Sequence, residues 1–246
     1  MSGVGRATDR DASGVAGSCY ISGPALSQRI PNQGKPMYTL YYSPGTASLA
    51  VHQALIEIGA PHELRRVDLE AGEQKSEAYL KLNPAGTVPT MIVDGRPIGE
   101  CAALLMLLAE RHPEARMGPA PGTPERPLFV QWMMHFANTL QPAYRQWFYP
   151  AEFAPADVED ESKAHARGRI EAVWNRLESH LAAHGPYVLG EQFCIADIYA
   201  TMLMRWSRNM PRPATEWPHL AALAKALKAR PSFARLYAEE GLEEWA

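Results

Sequence analysis

With 246 residues, the chain is long enough for one large domain or two modest ones, each with a real core. Its 46% hydrophobic and 21% charged residues fit an ordinary globular protein, and a net charge of −3 gives no basic field for nucleic acid and no pull toward anionic membranes. Its three cysteines, Cys19, Cys101 and Cys194, lack CxxC or metal-ligand spacing, and so sparse and odd a set suits a reducing cytoplasm better than a disulfide scaffold.

Residues 1–36 are rich in Gly, Ser, Arg and Asp without a period and read as a disordered extension. Residues 15–26 lack the continuous apolar segment of a secretory signal. The longest apolar run, residues 101–109, is too short to span a bilayer. Met37 stands directly before the first strand pattern, as a true start would. Residues 38–42, Tyr-Thr-Leu-Tyr-Tyr, read as a strand from their β-branched and aromatic content. Ser43-Pro44-Gly45 is a loop. A helix opens at Thr46 or Ala47, carries Leu49, His52, Leu55 and Ile56, and stops at Gly59. Residues 63–68 read as a second strand, and one helix between two strands implies a parallel crossover. Residues 69–82 give a loop and a short helix. Two short strands follow around Asp94-Gly95, the strongest short hairpin signal, and a helix runs to Arg111. Residues 113–127 are rich in Pro and Gly and read as a linker. The rest is helical, over roughly 125–149, 157–184, 195–210, 217–229 and 232–240.

Residues 83–102 carry the most chemistry. A Val88-Pro89 step can be cis and leave the Val88 backbone free to pair with an extended ligand. Glu100 and Cys101 stand where a helix begins, and helix N-termini attract carboxylates. A glutamate there can take an ammonium while neighbouring N–H groups take the carboxylate of the same zwitterion. A second helix start lies at Phe193-Cys194-Ile195-Ala196-Asp197-Ile198. Asp197 is placed to reach back to the cap N–H, and Phe193 and Ile198 are placed as a hydrophobic staple. Cys194 is a poorer cap than serine, so this cap should be weaker than usual. Residues 239–244 read as a solvated acidic tail, with Trp245 folding back.

The element order βαβαββα is that of the thioredoxin fold, and over residues 37–246 the chain resembles the cytosolic glutathione transferases. Three motifs carry the resemblance: residues 41–48 as first strand and active-site loop, residues 83–101 as glutathione clamp, and residues 193–198 as capping box. The resemblance implies a thioredoxin-like glutathione-binding domain over 37–112, a linker over 113–125, and an all-helical domain with the electrophile site over 126–246. It implies a cytoplasmic homodimer that uses glutathione, needs no metal, and has no nucleic-acid or membrane partner. The helix after Glu100 would lie near the dimer interface.

The loop is most similar to that of the bacterial beta class, but Ala47 stands where that class has a cysteine. Gln141 stands at its histidine, and Cys101 at the usual clamp serine. The resemblance assigns Val88, Pro89, Glu100 and Cys101 to glutathione, with Gln74 or Lys75 for its glycyl carboxylate. The thiol-activating hydroxyl would be that of Thr46, with Ser48 and Tyr42 in reserve; Thr46 also reads as a plain N-cap. The electrophile would meet Gln141, Tyr144, Arg145 and Phe148. Transfer to small hydrophobic electrophiles is the expected activity. Peroxidase, dehalogenase or isomerase chemistry and a non-catalytic binding or regulatory role are the alternatives. Disulfide exchange fails because the loop has no cysteine.

Overall fold

The first strand, β1 (Tyr38–Tyr42), buries Tyr38 and Leu40 and leaves the alternate residues half-covered, as the two-residue period requires. Helix α1 (Ser48–Ile58) is buried over most of its length and stops at Gly59, whose φ of 72° lets its N–H close the last turn on Ile56 O. Strand β2 (His62–Arg66) returns parallel to β1, with Leu64 opposite Leu40. It ends short of the expected residue 68 because the Asp68 carboxylate takes the N–H groups of Glu70 and Ala71 and turns the chain outward.

A short turn over Glu73–Lys75 leads into α2 (Glu77–Leu82), capped by Ser76, whose hydroxyl accepts the Tyr79 N–H. Strand β3 (Thr90–Val93) runs antiparallel to β1 and pairs with β4 (Arg96–Ile98). Asp94 and Gly95 between them have φ of 51° and 78°, the paired left-handed residues of the hairpin turn that Asp-Gly favours. Helix α3 (Cys101–Arg111) closes this half. The sheet order is β2-β1-β3-β4, a thioredoxin-like arrangement in the expected βαβαββα sequence.

Helices follow: α4 (Arg126–His135), α5 (Gln141–Phe148), α6 (Glu159–His184), α7 (Ile195–Trp206), α8 (Pro218–Lys228) and α9 (Pro231–Glu240). The single helix expected over 125–149 is interrupted by a π-helical turn at Phe136–Leu140. Pro142 has no N–H to offer the preceding turn, so the regular ladder cannot continue through it. The helix expected over 195–210 ends at Trp206, where the Ser207 hydroxyl donates to Met204 O at 2.6 Å and accepts the Ala214 N–H at 2.7 Å.

Helix α6 buries Ile170, Val173, Trp174, Leu177 and Leu181, one stripe at helical spacing. Helix α7 is buried from Ile195 to Arg205 and forms the centre of the helical half. Its start is the expected capping box: Asp197 accepts the N–H of Cys194 and that of Val188, both at 2.8 Å. Burial pushes the Asp197 carboxyl up to about 6 despite those donors. One continuous core joins the sheet side to the helices, from Leu40 and Leu55 through Leu104 to Ile198 and Leu236.

The structure, a computed structural model, describes residues 38–245, which fall within one compact unit; the expected extension over 1–36 and Met37 lie outside the described residues. No described helix is long and apolar enough to cross a membrane.

Candidate active site

The β1–α1 loop is held from the helical half. Gly45 N–H donates to Glu240 Oε2 at 2.9 Å, while Gly45 O accepts from Trp206 Nε1 at 3.1 Å and lies 3.5 Å from Arg205 Nη1. Gly45 has φ +71°, where a side chain is strained, and a Cβ there would sit 2.9 Å from Arg205 Nη1, so glycine is favoured. Glu240, expected in a solvated tail, is instead buried, and His52 Nδ1 binds its second oxygen at 2.9 Å. Its burial follows from the stripe Phe233, Leu236, Tyr237 and Glu240 on α9, which packs on α1. Trp245 does fold back, over Lys228 and Phe233.

Inside this loop Thr46 donates to Ser43 O at 2.8 Å and lies 2.9 Å from Ser48 Oγ. Helix α1 is counted from Ser48 with Ala47 at its cap position, and the Thr46 hydroxyl accepts the Ser48 N–H at 3.4 Å, a weak N-cap bond that leaves the plain cap reading of Thr46 open. Ser48 is fully buried; its hydroxyl is 3.1 Å from Ser43 O and accepts the Ser43 N–H at 3.2 Å. Thr46 is therefore the loop hydroxyl with surface to offer, and Ser48 is its internal support. Tyr42 is half-buried, and burial followed by the nearby Glu240 charge raises its hydroxyl above the usual range.

On the facing side the Val88–Pro89 peptide is cis. Among the described residues, Val88 N–H and C=O have no backbone hydrogen-bond partner. Glu100, at the start of α3, has φ 66° and ψ 109°, a conformation that costs a non-glycine residue about 1–3 kcal/mol. Its carboxylate is exposed and makes no hydrogen bond or ion pair among the described residues. Cys101 is buried, and its thiol donates to Ala47 O at 3.3 Å. Burial, then the Glu100 charge, raises the thiol well above its ordinary range, so it stays protonated. The Cys101 side chain thus ties α3 to the start of α1, and only its backbone N–H is left for a ligand.

The segment expected to reach the glycyl end lies beside this clamp. Lys75 Nζ is 3.5 Å from Ala85 O, and a Cβ on Gly86 would meet Lys75 Nζ at 2.8 Å and Gln74 O at 2.9 Å. The Gln74 side-chain oxygen is buried without a partner.

On the helical side Gln141 is fixed by Tyr199, whose hydroxyl donates to Gln141 Oε1; the Gln141 amide nitrogen has no partner among the described residues. Burial raises the Tyr199 hydroxyl, and the nearby Glu100 charge adds to it. Two expected pocket residues have partners of their own, with the Tyr144 ring packed against Phe148 at 6.0 Å and Trp206 at 5.7 Å. Tyr144 is fully buried, and its hydroxyl accepts from Trp174 Nε1 at 3.2 Å. Arg145 pairs with Glu152 and stacks on Tyr149 at 3.9 Å. Phe148 is 47% exposed and lies 6.3 Å edge-to-face from Trp206. Trp206 stands beside the active-site loop with no sequence signal for it, its Nε1 reaching Gly45 O from the end of a helix.

Comparison with known proteins fits this geometry. The model described as "Glutathione S-transferase, N-terminal domain" matches residues 46–111, and "Glutathione S-transferase, C-terminal domain" matches residues 160–234. A glutathione S-transferase of Escherichia coli O157:H7 is 27% identical, over 83% of this chain and 99% of that protein. Another, of Xanthomonas campestris, is 31% identical, over 69% of this chain and 82% of that protein. The crystal structure of a glutathione transferase homologue from Sulfitobacter with bound glutathione superposes with a TM-score of 0.77 at 29% identity, covering 85% of this chain and all of that one. Matched by both domain models and by a relative of this similarity, the chain belongs to the glutathione S-transferase family.

Proposed function

We propose that this chain binds glutathione between the β1–α1 loop and the start of α3, ionises its thiol, and transfers it to a small hydrophobic electrophile on the helical side. The observation that carries this reading is Glu100: a strained non-glycine residue presenting an exposed, unpaired carboxylate beside a helix N-terminus. In this reading Glu100 takes the γ-glutamyl ammonium, the Cys101 N–H takes the γ-glutamyl carboxylate, and the Val88 backbone pairs with the cysteinyl part. Lys75 and Gln74, beside Gly86, serve the glycyl carboxylate.

Thr46 would then stabilise the thiolate. Its hydroxyl leaves Ser43 O for the sulfur, and Ser48, already near Ser43 O, keeps that carbonyl satisfied. A hydrogen bond to a charged acceptor contributes about 1.5–3 kcal/mol, which lowers the thiol pKa by about 1–2 units. The start of α1 adds a favourable partial charge. The thiolate attacks the electrophile, and the sulfur lone pair forms the new bond as the leaving group departs or the π bond shifts. Phe148 and Trp206 give the electrophile an apolar wall, and the Gln141 amide, held by Tyr199, gives it a donor. The homodimer belongs to the same reading: α3 leaves Ala103 exposed and Met106 and Leu107 half-buried.

The test is calorimetric titration with glutathione, followed by a screen of aryl halides, epoxides, enones and hydroperoxides. Saturable binding lost in Glu100→Ala and turnover of at least one alkylating or arylating electrophile are expected. Binding unchanged in Glu100→Ala would remove the clamp; turnover of hydroperoxides alone would replace transfer with peroxidase chemistry.

A further inference from the structure

On the far side of Glu240 from the active-site loop lies a polar cluster that thiol chemistry does not use. His52 comes from α1, His62 from the start of β2 and Glu239 from the end of α9. One imidazole nitrogen from each histidine and one Glu239 carboxylate oxygen all lie within 4.8 Å of one another. His52 is the informative member. Its Nδ1 faces Glu240 Oε1 and its Nε2 faces Glu239 Oε2, both at 2.9 Å. A neutral imidazole has one N–H, so it cannot satisfy two carboxylates; either a second proton or another cation must sit at the Nε2 side.

The surrounding bonds choose which atoms face inward. Glu240 takes the His52 Nδ1–H, and the carbonyl of Ala60 takes the His62 Nδ1–H at 2.8 Å. His62 is thereby set as the Nδ1–H tautomer with an Nε2 lone pair to give, and a cation at His52 Nε2 would set His52 the same way. Glu239 is oriented in the same way, its Oε1 held by Arg235 Nε at 2.6 Å while Oε2 turns to His52. Each of the three ligands has its own orienting partner, the outer-shell pattern of metal-bound histidines and carboxylates. His52 is buried, while His62 is half-buried and the Glu239 side chain 32% exposed, so the cluster has a dry wall and an open solvent side.

We propose that His52 Nε2, His62 Nε2 and Glu239 Oε2 form a binding site for a divalent transition metal, zinc foremost. Two imidazoles and one carboxylate suit zinc, with water in the fourth position. Tetrahedral bonds of about 2.0–2.2 Å put ligand atoms about 3.3–3.5 Å apart, so the set must open slightly at His52–Glu239 and draw in elsewhere. The dication replaces the proton at His52 Nε2, which leaves to solvent, and two carboxylates with two neutral imidazoles then surround it. The site ties α1, β2 and α9 together beside the glutamate that holds Gly45 N–H. Glutathione transfer does not require it; the metal would set the rigidity of the loop.

The probes are Zn²⁺ and Co²⁺ alone, added to untagged, chelator-stripped full-length protein. One Co²⁺ per chain with the visible absorption of a four-coordinate ion, displaced by Zn²⁺, is expected, together with a rise in Tm on adding Zn²⁺. His62→Ala and Glu239→Ala, both at partly open positions, should each weaken binding by at least about tenfold while leaving the circular dichroism spectrum unchanged. No saturable binding with metal in excess overturns the proposal, and so does binding that either variant leaves intact. Octahedral Co²⁺ spectra would overturn the proposed three-ligand geometry.

Discussion

Replacing Glu100 with glycine should separate stability from binding, because strain relief offsets the stability cost and nothing offsets the binding cost. Glu100 sits at φ 66°, where a side chain costs about 1–3 kcal/mol and glycine costs nothing. Against that relief, glycine adds about 0.5–1 kcal/mol of unfolded-state entropy, and about 0.5 kcal/mol of helix-dipole attraction is lost with the carboxylate. The sum runs from about 0.5 kcal/mol against the variant to about 2 kcal/mol in its favour. Glutathione binding loses a charge-assisted hydrogen bond of about 1.5–3 kcal/mol, a weakening of about 10- to 150-fold. Glu100→Ala keeps the strain and removes the same carboxylate, so it should bind as weakly as the glycine variant without its stability. Urea unfolding and calorimetric titration on the three proteins read both quantities. Loss of more than about 2 kcal/mol in Glu100→Gly would mean the carboxylate supports the fold, and unchanged glutathione affinity would mean it does not touch the ligand.

Three further outcomes follow from buried groups. In metal-free protein, Glu240→Ala strands the Gly45 N–H and His52 Nδ1, a loss of about 3–5 kcal/mol by urea unfolding; a change within about 0.5 kcal/mol would remove Glu240 as the loop's anchor. Asp197 binds its proton more tightly folded than unfolded, with its carboxyl near 6 against an ordinary 3.8. Its contribution is therefore complete below about pH 4 and is lost as pH rises through 6, by about 2–3 kcal/mol. Wild type should lose that much relative to Asp197→Asn between pH 4 and 7, and a flat difference would contradict the assignment. Cys101 and Cys194 are buried, and burial raises both thiols, so in a Cys19→Ser background the native protein should not react with an aromatic disulfide reagent until it unfolds. Prompt release of one equivalent would show that the Cys101–Ala47 contact opens.

The sheet was legible because its signals are local. Tyr38 to Tyr42 alternate, Asp94-Gly95 demands its turn, and Gly59 marks a helix end; each acts over a few residues. The cis Val88–Pro89 peptide and the helix start at Glu100 and Cys101, the residues proposed as a clamp, were legible for the same reason, since they lie on one short stretch. What could not be read were contacts across the chain. Glu240 looks like part of an acidic tail until α9 lays it against Gly45, 195 positions away in sequence. Tyr144 and Arg145 belong to an aromatic stretch that reads as pocket, but the π-turn before Pro142 helps set which face of α5 turns inward, and that face carries Tyr144 into the core. Trp206 and Tyr199 carry no sequence signal for a site and reach it only through contacts across the chain. His52, His62 and Glu239 show no grouping in sequence because the last of them comes from the final helix.

The most direct measurement of the central claim is the ionisation of bound glutathione, followed as thiolate absorbance against pH in wild type, Thr46→Ala and Ser48→Ala. In wild type the midpoint should lie about 1–2 units below that of free glutathione, and Thr46→Ala should move it back most of the way. Ser48→Ala should move it less, because Ser48 is buried and acts through Ser43. A wild-type midpoint equal to that of the free thiol, or one shifted by Ser48→Ala and not by Thr46→Ala, would contradict the account.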